Sequence, residues 1–195
     1  MKDIIQFSFD FFAYVIPGLF VIFSISLITV PIDSIDIAIE KTKDFTTEIV
    51  TVVIIVSYVI GFIIYPIGRL IYKTFGFKLF PKLLVDKKND ESLSLNAKYS
   101  LLRELSPTNF KYVESWNIYC AMAHNLMVAS LVFTFVSLIK FIISKFVFFW
   151  LGAVLLGIFI FLVLTHRAVT YSQWAKGDIN ASIESLNLDN KTLNN

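Results

Sequence analysis

The amino-acid sequence predicts an all-α fold, a polytopic membrane protein with a four-helix transmembrane bundle and a small cytoplasmic helical cap. The first observation is a set of four long apolar stretches, because about 20 mostly apolar helical residues cross a hydrocarbon core of ~30 Å. The second is a mean hydropathy of +0.72 with 56% hydrophobic residues, above the ~45–50% of a soluble domain. The third is the gathering of basic residues in alternate loops.

The 195 residues are predicted to form a single membrane domain, since this length is typical of one compact unit. The predicted spans are 11–32, 49–72, 117–139 and 145–165, with an inner loop at 73–115 and a tail at 166–195. The first span is expected to be retained, because its apolar run exceeds the ~7–15 residues of a signal peptide. A soluble helical protein is disfavoured, because soluble helices need a polar face.

Charge asymmetry predicts that both termini lie in the cytoplasm. The segment between the first two spans, 33–48, carries five acidic residues and only two lysines. Thirteen of the seventeen basic residues fall on the opposite side if the chain crosses four times. Basic residues concentrate on the cytoplasmic side of membrane proteins, so the predicted topology is N-in and C-in.

The segments outside the spans are predicted to be partly helical. Residues 96–105 and 109–116 are expected to form short cytoplasmic helices separated by Pro107, after a polar loop at 86–94. A tight turn near Ser144 requires the third and fourth spans to pack as an antiparallel hairpin. The fourth span is predicted to continue as a helix into the tail, whose Asn-rich end is expected to fray.

Proline and glycine interrupt both of the first two spans. Pro17 and Gly18 lie in the first, and Pro66 and Gly68 lie near the inner end of the second. Proline removes a backbone donor and clashes with the preceding turn, so both sites are predicted to kink their helices. They are candidate hinges lining a cavity; alternatively they are ordinary kinks whose freed carbonyls are satisfied by neighbouring helices.

The inner half of the third span has a polar face. At ~100° per residue, Asn117, Cys120, His124 and Asn125 fall on one side, whereas the outer half of that face is apolar. These four residues are the candidate polar cavity, open to the cytoplasm and ending near mid-depth. His124 is either a protonation-sensitive gate or, with Asn125, an interhelical hydrogen-bonding residue.

No metal, cofactor or catalytic site is predicted. A zinc site needs three or four ligands, and only Glu114 lies close in sequence to Cys120 and His124. A cysteine nucleophile needs an orienting or oxyanion-stabilising group, and the sequence identifies none. The spans contain one histidine and no paired carboxylates, so the chain is predicted not to be an enzyme.

Two pairs of small residues four apart allow helices to approach closely. They are Ser57 with Gly61 and Ala153 with Gly157. Each pair is either a contact within the chain or a seam between subunits, and the sequence alone does not decide which.

Basic residues interleaved with aromatic rings follow the second span. This arrangement is typical of a segment lying on anionic lipid, at ~1 kcal/mol per basic residue near the surface. An acidic partner protein or a nucleic acid is the alternative contact, and direct nucleic-acid binding is not expected. The basic residues predicted to contact lipid or a partner are Arg69, Lys73, Lys78, Lys82, Lys87 and Lys88.

Three segments carry a resemblance to a known group of proteins: FDFFAYVIPGLF at 9–20, WNIYCAMAHNL at 116–126 and HRAVTYSQWA at 166–175. In these segments the chain resembles small multi-pass proteins of bacterial anti-phage defence loci, the Kiwa membrane subunit and the accessory membrane protein of type VI-B CRISPR loci. The resemblance implies a homo-oligomeric component of the bacterial inner membrane that senses infection or perturbs the membrane. It also implies a cytoplasmic partner that binds nucleic acid.

The expected function is therefore that of a non-enzymatic membrane component of a defence or stress module. A cytoplasmic signal would contact the cap, shift the proline hinges and alter the polar cavity. The alternative is a small transporter or channel subunit, whose path would have to form between subunits because the outer half of the polar face is apolar.

Overall fold

The structure is a computed structural model that describes residues 11–29, 46–84, 93–143 and 147–186. Every element within these ranges is helical. Several predicted features lie outside the described residues: most of the acidic 33–48 segment, most of the 86–94 loop, the turn near Ser144, Lys87, Lys88 and the end of the tail.

The helices follow the predicted order. They are α1 (Ile16–Thr29), α2 (Thr47–Ile71), α3 (Leu95–Leu105), α4 (Pro107–Ile143) and α5 (Val147–Ser185). A π-helical turn, Phe11–Val15, precedes α1, and a second one, Tyr72–Gly76, follows α2. The chain then continues through the short helical segment Phe77–Leu79 and the 3₁₀ turn Pro81–Leu83.

Four helices are long and apolar enough to cross a membrane, which confirms the predicted number of candidate spans. They are Phe11–Ile28, Thr47–Leu79, Pro107–Ile143 and Phe148–Ser185. Their outward faces carry large apolar side chains, such as Phe62 on α2, Phe135 on α4 and Phe159 on α5. A soluble protein of this size rarely exposes so much contiguous apolar surface.

Helix α4 is the centre of the bundle, because it packs against α1, α2, α3 and α5. Its most extensive contact is with α5, as expected for two long helices that follow one another in the chain. The main apolar core lies around Met127 and Ala129 of α4, which are fully buried, and includes Val21 of α1, Ile64 of α2 and Val169 of α5.

Glycines bring the backbones of the first two candidate spans together. A Cβ on Gly18 would clash with the Ser57 backbone, and a Cβ on Gly61 would clash with the Tyr14 backbone. The Ser57–Gly61 pair is therefore a contact within the chain, of the kind that small residues allow in membrane bundles. Gly157 of α5 likewise sits against the Thr134 side chain of α4.

We define the cap as α3 with the first turns of α4 and the last turns of α5. A second apolar cluster holds these segments together. Leu102 of α3 packs with Val113 of α4 and with Ile179 and Ile183 of α5, and all four side chains are buried. Ser94 caps the N-terminus of α3, and its Oγ accepts a hydrogen bond from the Ala97 N–H at 3.3 Å.

The predicted short helix at 109–116 is instead the beginning of α4, which runs without a break from Pro107 into the span. Proline is favoured at the first position of a helix, where its missing N–H has no intrahelical partner. No proline or glycine follows before the span, so nothing stops the helix. The predicted continuation of the fourth span into the tail is confirmed, since α5 ends at Ser185.

Candidate functional site

A cavity of about 180 Å³ lies where α2 and the π-helical turn after it meet α4 and α5. Three of the four candidate polar residues line it, namely Asn117, Cys120 and His124. The structure therefore brings three of the four predicted residues together around one cavity. The remaining lining residues are Tyr65, Arg69, Tyr72, Ala121 and Ser172.

His124 is 2% exposed and packs between two tyrosine rings. The Tyr72 ring stacks on it with centroids 5.4 Å apart, and the Tyr65 ring meets it edge-on at 4.8 Å. Its Nδ1 has no hydrogen-bond partner among the described residues. A Cβ on Gly68 would lie 2.7 Å from this Nδ1, so glycine at 68 is what allows α2 to close over the imidazole.

Cys120 ties the cavity wall to α5. Its buried thiol donates a hydrogen bond to the Ala168 carbonyl, with 3.4 Å between sulfur and oxygen. Within the described residues, no group of three or more His, Cys, Asp or Glu side chains is placed to hold a metal ion. The arrangement around Cys120 is that of a helix–helix contact.

Asn117 links the cavity to the cap. Its Nδ2 donates a hydrogen bond to the Tyr99 hydroxyl of α3 at 2.8 Å. Burial raises the pKa of Tyr99, and the Asn117 hydrogen bond opposes that shift. The Tyr99 phenol is therefore neutral throughout the physiological pH range and remains available as an acceptor.

Asn125 lies outside the cavity and faces the start of the first span. Its Nδ2 donates to the Ala13 carbonyl at 2.6 Å. In an unbroken α-helix this carbonyl would accept from the N–H of residue 17, which is a proline and has none. Asn125 therefore supplies, from a neighbouring helix, a donor to the carbonyl that Pro17 leaves free.

The candidate hinge residues occupy different environments. Pro17 and Gly18 are buried in the bundle, and Gly18 touches α2. Pro66 is exposed on the outer face of α2, whereas Gly68 is buried against His124. Both helices continue through their prolines, and the two π-helical turns lie close by in sequence.

The predicted lipid-contact residues divide into two groups. Arg69 lines the cavity, although its side chain is exposed at the rim. Lys73, Lys78 and Lys82 are exposed on the turns that follow α2. Arg69 and Lys176 are the basic groups that act electrostatically on Lys73, and the Cys120 thiol is also within reach of it. The rim of the cavity is therefore positively charged.

Five lining residues were not among the sequence candidates for the cavity: Tyr65, Arg69, Tyr72, Ala121 and Ser172. The first three recur at i, i+4 and i+7, which places them on one face of a helix, and this signal was present in the sequence. Ser172 had no such signal. It reaches the cavity because α5 packs along α4 for most of its length.

The cavity does not continue as a polar path through the described bundle. One turn beyond His124 on α4, Met127 and Val128 are buried in the apolar core with Val21 and Ile64. This closure agrees with the apolar outer half that the sequence predicts for the face.

No protein family, curated protein or solved structure matches this chain.

Proposed function

We propose that this chain is a non-enzymatic component of the bacterial inner membrane, acting in an anti-phage defence or stress module. In this proposal α1, α2, α4 and α5 cross the membrane, and the cap and the rim of the cavity face the cytoplasm. The observation that carries the proposal is the polar cavity, which lies next to the cap and is closed toward the rest of the bundle.

The exposed apolar surface supports placement in a membrane. In the span Thr47–Leu79, only 17% of the most apolar 18-residue stretch is buried inside the chain. The corresponding share in the span Phe148–Ser185 is 22%. Lipid tails cover such faces without cost, whereas water does not. Contacts with other copies of the chain would cover part of the same surface, which agrees with the proposed homo-oligomer.

The three segments that resemble defence proteins pack against one another. Asn125 of the second segment bonds to Ala13 of the first, and Cys120 bonds to Ala168 of the third. Trp116 stacks on Tyr171 with centroids 5.9 Å apart. The packing of the three segments against one another supports the proposed relationship.

Contacts between the cap and the cavity provide a route for a signal. Trp116 Nε1 donates to Asp178 at 2.7 Å, and Asn117 donates to Tyr99. In the proposed mechanism a cytoplasmic partner binds the cap and moves α3. The Asn117–Tyr99 hydrogen bond transmits that movement to the cavity wall.

The proposal is tested by phage challenge of cells that carry the chain within its own locus. Deleting the chain is expected to abolish protection, and Tyr99→Phe, which removes the Asn117 acceptor, is expected to reduce it. Leu105→Ala, an exposed site on the same helix as Tyr99, serves as the control. Equal plaque counts with and without the chain would exclude the defence role. Solute flux in proteoliposomes without any partner would favour the transporter or channel alternative.

A further inference from the structure

We infer that the cavity between α2, α4 and α5 binds a small phosphate-bearing anion. The same chemistry is found in the headgroup of an anionic phospholipid and in free phosphate compounds, and the experiment below separates these sources. The lipid source rests on the proposed membrane placement, whereas binding of phosphate itself does not.

The first observation is positive charge at the rim. Arg69 lines the cavity and is exposed at its rim, and Lys73 is exposed one helical turn further along the chain. None of the described residues that line the cavity is acidic. Convergent charge of one sign in a concave site concentrates ligands of the opposite sign.

The second observation is the set of hydrogen-bond donors on the wall. Tyr72 and Ser172 both line the cavity, and each carries a hydroxyl group. Hydroxyl groups donate readily to phosphate oxygens, and hydrogen bonds to a charged acceptor are stronger than neutral ones. An arginine beside such hydroxyls is a suitable partner for a phosphate.

The volume limits the size of the ligand. Drug-sized ligands occupy pockets of about 300–1,000 Å³. A cavity of about 180 Å³ accommodates a phosphate group with a small substituent, but not a nucleotide. The tyrosine rings would also suit an organic cation. The basic rim repels one, and this favours the anion.

The position of the cavity along α2 favours a lipid headgroup as the source. Ile63, Ile67 and Leu70 are exposed apolar residues on the last turns of α2, and exposed Lys73, Lys78 and Lys82 follow. Arg69 lies at this change from apolar to basic surface. Basic pockets between membrane helices on the cytoplasmic side are suited to anionic headgroups.

The lipid arm compares retention of phosphatidylglycerol and phosphatidylcholine on the purified full chain by native mass spectrometry. The wild type is expected to retain phosphatidylglycerol preferentially, and Arg69→Gln is expected to reduce that preference by about fivefold or more. Arg103→Gln is the matched control, since Arg103 is exposed on α3 and outside the cavity. The preference of Arg103→Gln for phosphatidylglycerol over phosphatidylcholine is expected to stay within about twofold of wild type.

The phosphate arm measures the melting temperature of the delipidated protein in detergent, with sodium phosphate against sodium chloride at equal ionic strength. Phosphate is expected to raise the melting temperature of the wild type but not that of Arg69→Gln. Tyr72→Phe, which keeps the ring stacked on His124 but lacks the hydroxyl, is expected to respond less than wild type. This variant serves as the test if Arg69→Gln does not fold.

Each outcome decides the inference. Preferential retention of phosphatidylglycerol that Arg69→Gln reduces identifies a headgroup site, with or without stabilisation by free phosphate. Phosphate stabilisation without lipid preference identifies a soluble phosphate compound as the ligand. Absence of both effects, or an equal loss in Arg103→Gln, overturns the inference. A chain that proved not to span a membrane would still show the phosphate effect, so failure of the proposed function is distinguishable.

Discussion

At the scale of single residues, the polar groups of α4 divide between two tasks. Asn125 satisfies a backbone carbonyl that Pro17 leaves without its usual donor, whereas His124 faces the cavity between two tyrosine rings. The two residues are adjacent in sequence, but the ~100° turn between them points their side chains to different neighbours. Asn125 is therefore a structural residue, and His124 belongs to the candidate site.

The pairing of Asn125 with Pro17 predicts a specific coupling. Asn125→Ala is expected to lower the free energy of unfolding by about 1–2 kcal/mol, because a buried carbonyl loses its donor. Pro17→Ala restores the backbone N–H at residue 17. In that background, Asn125→Ala is expected to lower the free energy of unfolding by a smaller amount. Equilibrium unfolding in detergent of the two single variants and the double variant measures this coupling. Additive effects would contradict the assignment.

The close contact of Gly68 with His124 predicts intolerance of a methyl group. Gly68→Ala is expected to destabilise the chain by about 1–3 kcal/mol, because the added Cβ overlaps the imidazole and α2 must move away from α4. Gly152→Ala is the matched control, since a Cβ there meets nothing within 4 Å. Alanine is a better helix former than glycine, so the control is expected to be neutral or stabilising. Similar melting temperatures for both variants would refute the contact.

At the scale of elements, glycine contacts decide how α1 and α2 meet. Gly18 touches the Ser57 backbone and Gly61 touches the Tyr14 backbone, so the two helices share one close crossing. Aromatic rings surround it, with Tyr14 against Tyr58, Phe62 and Tyr65. The crossing also presents Tyr65 to His124, and in this way the α1–α2 contact shapes the cavity wall.

The packing of the cap depends on Leu102, the α3 side chain that is buried against α4 and α5. Leu102→Ala is expected to cost about 2–5 kcal/mol, since Leu102 is 0% exposed and its loss leaves a cavity. The expected consequence is faster hydrogen exchange at α3 amides, measured by mass spectrometry. Leu105→Ala, at a site 54% exposed on the same helix, is expected to leave the exchange nearly unchanged. Equal exchange in the two variants would contradict the packing of α3.

At the scale of the whole molecule, the cap end of the described bundle differs from its middle. The end that carries the cap has the basic rim of the cavity and the exposed lysines after α2, and the middle of the bundle is apolar. This difference along the bundle, more than any single residue, supports the proposed orientation in a membrane.

The orientation is tested with single cysteines, because the chain has one natural cysteine, Cys120. In a Cys120→Ser background, Lys82→Cys and Glu184→Cys are expected to react with an impermeant maleimide only after the cells are opened. Thr46→Cys, at the start of α2, is expected to react on intact cells. All three positions are exposed. The reverse pattern would invert the proposed topology, and labelling of all three on intact cells would exclude it.

The number and order of the long helices followed from the sequence alone, because hydropathy and chain length act locally and a span needs no distant partner to be recognised. Helical periodicity also placed Asn117, Cys120 and His124 on one face. Only the tertiary structure decided what lies opposite them. The rotation of α2 about its axis depends on the contact of Gly68 with His124, and Ser172 arrives from α5. Such contacts join residues far apart in the chain, so no local pattern predicts them.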